Sequence, residues 1–240
     1  MVMSHLAYYD YQATARGVHG AQDVARVAHE KAFIYERLVG PWLPAQADAK
    51  IAELACGHGS FLFWLKQKGY DKVIGIDSSP EQTELAASTG AQVETQDALE
   101  WLVRQDDSTY DVLVAIDFIE HISKDDVMAL LKLGQRKLRP GGRMVLRYPN
   151  GDSPLVGLNL FNDITHVWTY TTNCLNSLAT MHGFARTEFA DEGWRVTRDH
   201  RWIKLPISYL SQAILCFLFQ AVSRQRLHFW SSSIWACLER

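Results

Sequence analysis

Cysteine is scarce and scattered: Cys56, Cys174, Cys216 and Cys237 lie far apart, and none belongs to a Cys-x-x-Cys pair. That argues against a cysteine zinc site and a disulfide framework, and it implies reduced thiols in a cytoplasmic protein. Charge of one sign is missing too. Twenty-four Lys and Arg stand against 27 Asp and Glu, a formal charge of −3, so nothing in the balance draws nucleic acid or an anionic surface globally. DNA is not an expected partner, and RNA is disfavoured because phosphate contacts need a dense Lys/Arg stripe. No apolar run is long enough to span a bilayer. Ile207 to Val222 is the longest, is interrupted by Ser208, Ser211 and Gln212, and falls short of the roughly 20 residues a spanning helix needs. The opening MVMSHLAYYDYQ has no charged start followed by an apolar core, so no signal peptide is expected. Repeats, low-complexity tracts and flexible linkers are absent as well, so one domain over residues 1–240 is expected.

What is present is an alternation of short apolar strands with helical patterns from Lys50 onward. Strands are expected at Ile51–Leu54, Lys72–Ile76, Gln92–Thr95, Tyr110–Ile116 and Arg143–Tyr148. Helices fall between them at Phe61–Lys68, Pro80–Ser88, Ala98–Arg104 and Lys124–Leu138, the last ending at Arg139-Pro140-Gly141-Gly142. This is the pattern of an α/β, doubly wound sheet. An N-terminal helical cap covers 14–43, with Val24, Val27, Ala28, Phe33, Ile34 and Leu38 at helical spacing and Gly40-Pro41 as the stop. A helix at Thr172–His182 follows a long loop over 151–171, and Ala185–Ala190 with Ser233–Leu238 read as an antiparallel edge hairpin. Between those two runs lies an apolar helical insertion, 199–229.

The first strand runs into Ala55, Cys56, Gly57, His58 and Gly59, and a helix starts at once. Small residues let a turn's backbone approach a ligand, and the helix that follows offers unpaired N–H groups. Asp77 ends the second strand, where a carboxylate accepts hydrogen bonds from ribose hydroxyls. The site is therefore that of a nucleoside cofactor. A dinucleotide turn would read G-x-G-x-x-G; here Ala55, Gly57 and Ser60 hold those places, and the missing third glycine counts against NAD.

Residues 50–150, with KIAELACGHGS, VIGID, QDA, YDVLVAIDFIEHI and RPGGRMVLRYPN in order, resemble the class I S-adenosylmethionine-dependent methyltransferases. The resemblance implies a Rossmann-like seven-stranded sheet, S-adenosyl-L-methionine as cofactor and S-adenosyl-L-homocysteine as product. It implies that Glu53, Ala55, Cys56, Gly57 and Gly59 cradle the methionine part, with Ala55 standing where glycine is usual. Asp77, with Ser78 and Gln82 beside it, is placed at the ribose. Asp97 and Ala98 flank the adenine, and Ile116 lies near the sulfonium.

Candidate acceptor-side groups lie after strands four and five. His166 is the expected general base, Asp163 is expected to orient it, and His121 to line the site. DFIEH also resembles the ExxEH of ubiquinone-pathway and small-RNA 2′-O-methyltransferases, where a divalent metal is bound. That would give a metal set of Asp117, Glu120, His121 and His166. It is not favoured, because an EH pair here is widespread in metal-free relatives and Asp117 reaches less far than glutamate. The stretch PNGDSP…NDITHVWTYTTNCLNSLATMHGF resembles methyltransferases of bacterial surface-polysaccharide synthesis, which implies a sugar hydroxyl or glycan phosphate as acceptor. Asp152 is a further polar candidate, and Phe161, Trp168, Tyr170 and Trp194 are candidates for stacking on a sugar. Tyr8, Tyr9 and Tyr11 are candidates for folding over the cofactor. The apolar segment 205–227, flanked by Lys204, Arg224 and Arg226, reads first as a lid helix or dimer interface. Its alternative is a peripheral anchor at the inner face of the membrane.

Overall fold

The computed structural model describes residues 17–192, 205–223 and 229–240. Its strands are β1 (Lys50–Leu54), β2 (Lys72–Asp77), β3 (Gln92–Thr95), β4 (Tyr110–Ile116), β5 (Leu138–Pro149), β6 (Arg186–Asp191) and β7 (Ser233–Glu239). The helices are α1 (Ala21–Ile34), α2 (Ser60–Gln67), α3 (Pro80–Ala87), α4 (Ala98–Arg104), α5 (Lys124–Lys137), α6 (Gly157–Leu160), α7 (Thr172–Met181) and α8 (Leu205–Ser223). The seven strands form one sheet in the order β3-β2-β1-β4-β5-β7-β6. β1 to β5 pair in parallel, and β7 runs antiparallel to both of its neighbours. This is the Rossmann-like doubly wound sheet expected from the alternation.

Period-two patterning assigns each strand residue to one of two cores. Ile51, Val112, Val114, Val145 and Trp235 face one side, under Tyr35, Leu38, Phe61 and Trp64. Ala52, Leu54, Leu113, Ala115, Leu146 and Ala236 face the other, under Trp101, Leu130, Leu131 and Leu175. Tyr35 meets Phe61 edge to face at 4.9 Å and Trp235 at 6.2 Å, which fastens the N-terminal helical segment to the sheet.

Several boundaries differ from the sequence reading. The N-terminal cap is not one helix from residue 14. Gly17 has φ +71° and Gly20 is fully extended, so α1 starts at Ala21. It then passes into a π turn, Tyr35–Val39, and a 3₁₀ turn, Gly40–Trp42, where Pro41 has no N–H to continue the ladder. Residues 14–16 lie outside the described residues, as do Tyr8, Tyr9, Tyr11, Trp194 and the flanks of α8.

Lys124–Leu138 ends one residue early, because Leu138 and the Arg-Pro-Gly-Gly turn join β5 across an irregularity opposite Tyr110–Val112. The loop after β5 contains the short helix α6, which the sequence did not signal. The expected antiparallel pair is present at the edge of the sheet. β6 is the outermost strand, and β7 lies between it and β5, antiparallel to both.

Candidate active site

Strand order reverses between β1 and β4, and ligands of doubly wound sheets sit in the crevice at the carboxyl ends flanking that point. Both strands leave the sheet there in left-handed conformation: Ala55 has φ +54° and Asp117 φ +53°. Non-glycine residues rarely adopt it, at a cost of about 1–2 kcal/mol each, and such strain gathers at functional sites. The alanine at position 55 therefore carries a strain that glycine would not. The turn continues through Gly57 (φ +51°) and Gly59 (φ +79°), and a Cβ on Gly59 would lie 2.6 Å from that of Ala86. Gly75, on the neighbouring strand, is equally confined: a Cβ there would strike Leu62 at 2.4 Å and Cys56 Sγ at 2.8 Å.

Asp77 ties the two loops together. Its Oδ2 accepts from the Gly57 N–H at 2.8 Å and its Oδ1 from the Ser79 N–H at 2.9 Å. Ser79, rather than Asp77 or the exposed Ser78, caps α3 through its Oγ. Glu53 is buried under the turn, and its Oε2 has no hydrogen-bond partner among the described residues. Burial pushes its pKa well above the usual carboxylate range; Lys31 opposes the shift and Asp77 adds to it. The Nε2 of buried Gln82 likewise has no partner among the described residues, and its Oε1 faces Gly57. Cys56 is buried and its thiol is pushed up by that burial, with Glu53 adding to it. Asp97 is the N-cap of α4: one oxygen accepts from both Leu99 and Glu100 N–H at 2.9 Å, and Ala98 behind it is buried. A turn that leaves no room for a Cβ at Gly59, with polar atoms of Glu53 and Gln82 that lack partners among the described residues, fits a polar, extended cofactor. Ile116 lies half-buried at the end of β4.

The acceptor side corrects two expectations. Asp117 does not join a metal set, because its carboxylate is ion-paired with Arg147. Arg147 also donates to Glu192 at 2.6 Å and lies 5.9 Å from the Trp235 ring centroid, so Asp117 is held toward β5. The Asp163 carboxylate does not orient the His166 imidazole; the two residues meet through the backbone, where the Asp163 carbonyl accepts from the His166 N–H at 3.3 Å. The His166 Nδ1 lies 3.1 Å from the Leu160 carbonyl; a carbonyl only accepts, so Nδ1 carries the proton and Nε2 the lone pair. Asp163 instead accepts from the Thr165 hydroxyl at 2.6 Å and from its N–H at 2.9 Å. The Thr165 oxygen lies 2.9 Å from His121 Nδ1. Since that hydroxyl's proton goes to Asp163, His121 Nδ1 must be the donor, and its lone pair too is on Nε2. Sequence reasoning named both histidines but missed Thr165 and the Leu160 carbonyl, which set their tautomers; only the unexpected helix α6 brings that carbonyl round.

The two imidazoles lie 4.5 Å apart between ring centroids. With Glu120 they form a group whose ligand atoms are all within 4.8 Å of one another. Glu120 is buried, its Oε2 has no hydrogen-bond partner among the described residues, and burial, then Asp117, raises its pKa well above the ordinary value. Its carbonyl accepts from Val167 N–H at 2.7 Å, which pins the loop 151–171 to the end of β4. Lys124 sits 3.6 Å over the Trp168 ring, a second pin. Asp152 caps the start of α7 through the Thr172 N–H at 2.7 Å and so serves the fold. Tyr170 is core, packed edge to face on Tyr148. Phe161 is 82 % exposed and Trp168 47 %, so these two aromatics stand at the mouth.

His121 and Asp163 give the site a pH dependence. Burial, reinforced by His166, drives His121 from its ordinary 6.5 down to about 4. The unfolded chain therefore binds this proton more readily between those values, and stability is full above about 6.5 and falls as pH drops toward 4. The loss is at most about 3 kcal/mol. Burial opposes the Asp163 shift, yet the Thr165 hydrogen bonds and the two histidines hold its pKa below the ordinary value, so its contribution is lost only at lower pH still. The raised carboxyls of Glu53 and Glu120 bind protons more readily in the folded chain and act in the opposite sense. The His121 part is therefore read as a difference: the urea midpoint of wild type relative to His121→Asn should fall between pH 6.5 and 4, and a pH-independent difference would remove His121 as a source.

A family profile described as "Methyltransferase domain" matches residues 25–200. Among solved structures, a SAM-dependent methyltransferase of Archaeoglobus fulgidus superposes with TM-score 0.66 at 20 % identity, covering 88 % of this chain and 94 % of that one. A SAM-dependent methyltransferase of Thermotoga maritima gives 0.64 at 16 %, covering 98 % and 99 %. Phosphoethanolamine N-methyltransferase 2 of Haemonchus contortus, in complex with S-adenosyl-L-methionine, gives 0.59 at 15 %, covering 88 % of this chain and 52 % of that one. At these identities the likeness speaks for the fold. No curated protein matches the chain.

Proposed function

The chain belongs to the methyltransferase-domain family, and from that premise we propose that it transfers a methyl group from S-adenosylmethionine to an oxygen of a bacterial surface glycan or its lipid-linked precursor. S-adenosylmethionine supplies a methyl group already activated on a sulfonium. Glu53, Gly57, Gly59, Asp77, Gln82 and Asp97 would hold it, and the left-handed turns at Ala55 and Asp117 bound the crevice. The protein's own task is to align a hydroxyl and remove its proton.

The observation that carries the reading is His166, with Nδ1 committed to the Leu160 carbonyl and the lone pair of Nε2 left to accept a proton. Buried His121 beside it stays neutral at physiological pH and so does not repel the proton that His166 gains. Phe161 and Trp168 offer exposed faces to a sugar ring. The test uses methyl-labelled cofactor with lipid-extracted and water-soluble glycan fractions. Label in a base-stable ether on a sugar supports the reading; label only on nitrogen would sink it.

A second reading rests on Glu120, which offers a carboxylate oxygen within 4.8 Å of a ring nitrogen of each imidazole and whose Oε2 has no hydrogen-bond partner among the described residues. Two nitrogens and one carboxylate suit Mn²⁺, Co²⁺ or Zn²⁺ better than Mg²⁺. Such an ion supplies Lewis-acid polarisation of a bound oxygen. Under this reading Glu120, His121 and His166 hold the ion, and the base role of His166 is given up. Dialysis against EDTA followed by calorimetric titration of Mn²⁺ should show one site per chain, lost in His166→Ala. Full turnover after EDTA with no Mn²⁺ uptake would leave the metal-free reading alone.

A further inference from the structure

The helix α8 carries 19 residues without one Asp, Glu, Lys or Arg. Leu210, Ile214, Leu215, Phe217, Leu218 and Val222 are each at least half exposed. Ser211, Ala213, Gln220 and Ala221 are exposed as well, so water meets the helix on most of its circumference. A polar tie to the domain is made by the Trp230 indole N–H, which donates to Cys216 Sγ at 2.8 Å.

The same tryptophan reaches the acceptor loop, because its carbonyl accepts from Ser153 Oγ at 2.8 Å. Asn159, in α6, donates to Ser233 three residues further on. That loop bears a second exposed apolar set, Leu158, Phe161, Ile164 and Val167, around His166. Two apolar surfaces from distant parts of the sequence thus meet the chain at residues 230–233, at the sheet end that holds the candidate active site.

We propose that α8, continuous with the acceptor loop, is a docking surface for an anionic lipid bilayer, with the helix lying in the plane of the interface. About 28 Å of helix at 1.5 Å per residue is available to lie along it. A partner helix would cover one stripe, whereas exposed apolar side chains on most of a helix call for a medium rather than a groove. The charge pattern is complementary to anionic headgroups: no acid lies within α8, and Lys204, Arg224 and Arg226 flank it in sequence. No helix of the described residues is long and apolar enough to cross a membrane, so the contact is with the surface. The inference deepens the lipid-linked acceptor reading by saying how such an acceptor would be met.

The test is flotation of the full chain with phosphatidylglycerol-containing vesicles, read without any acceptor. Its failure would remove the bilayer and leave methyl transfer to a soluble glycan standing. Co-flotation is expected, with weaker binding to pure phosphatidylcholine and at high salt. The triple change Ile214→Glu, Phe217→Glu, Leu218→Glu should reduce the bound fraction by about tenfold or more, with S-adenosylhomocysteine binding unchanged as the folding control. Ile164→Ser, on the loop, should lower it less. Failure to float on any vesicle would overturn the proposal, as would equal flotation of the triple variant. So would a dimer in sedimentation that the triple change dissociates without any vesicle binding, which would assign the surface to a second copy.

Discussion

Replacing His166 by alanine is expected to lower the turnover number by about 10³-fold, the middle of the range for a positioned proton acceptor. S-adenosylhomocysteine affinity should stay within about twofold, because His166 belongs to the loop 151–171 and none of the cofactor-side turns. The argument is one of tautomers. The Leu160 carbonyl takes the Nδ1 proton and thereby makes Nε2 the basic atom. Thr165→Val is the companion variant. It removes the hydroxyl between Asp163 and His121, leaves His166 on its carbonyl, and should cost about tenfold. Single-turnover rates with methyl-labelled cofactor measure both. If His166→Ala turns over at the wild-type rate, the proton leaves by another route and the base assignment is finished.

Asp77→Ala is expected to weaken S-adenosylhomocysteine binding by about 10²-fold or more. The carboxylate holds Gly57 N–H and Ser79 N–H at 2.8 and 2.9 Å, so it fixes the spacing between the turn after β1 and the start of α3. In the proposed complex it also receives the ribose hydroxyls. Hydrogen bonds to a charged group contribute about 1.5–3 kcal/mol each, and losing two of them corresponds to at least two decades in affinity. Asp77→Asn keeps one acceptor oxygen and should lose about tenfold. Isothermal titration calorimetry separates these outcomes from misfolding, since the melting temperature reports on the fold independently. Wild-type affinity in Asp77→Ala would mean that the cofactor lies elsewhere.

The order of strands and helices along the central sheet was legible because each strand of β1, β2, β4 and β5 is apolar on both faces and ends in a turn residue. The glycine-lined cradle was legible for the same reason: Gly57 and Gly59 are confined by backbone geometry that leaves a mark in sequence. The acceptor side was not. Whether the Asp163 carboxylate meets the His166 imidazole depends on whether the loop closes a helical turn at Gly157–Leu160, which four residues with no cap do not announce. Asp117 was equally ambiguous, since its partner Arg147 is 30 residues away and meets it only when β4 and β5 pair. The insertion of β7 beside β5 is likewise a long-range choice, with no local signal to distinguish it from an edge position.

That insertion has a consequence for how the chain acquires its shape during synthesis. Among the described residues β6 pairs only with β7, and β7 follows it by some forty residues on the ribosome. While those residues are still in the exit tunnel, β6 has no neighbour to pair with, and the buried side chains that Ile234, Ala236 and Leu238 will supply to one core and Trp235 to the other are missing. The nascent domain must wait with β5 uncovered along one edge, alongside the most apolar helix of the sequence. Chaperone demand should therefore peak late in translation and collapse as soon as the strand Ser233–Glu239 emerges.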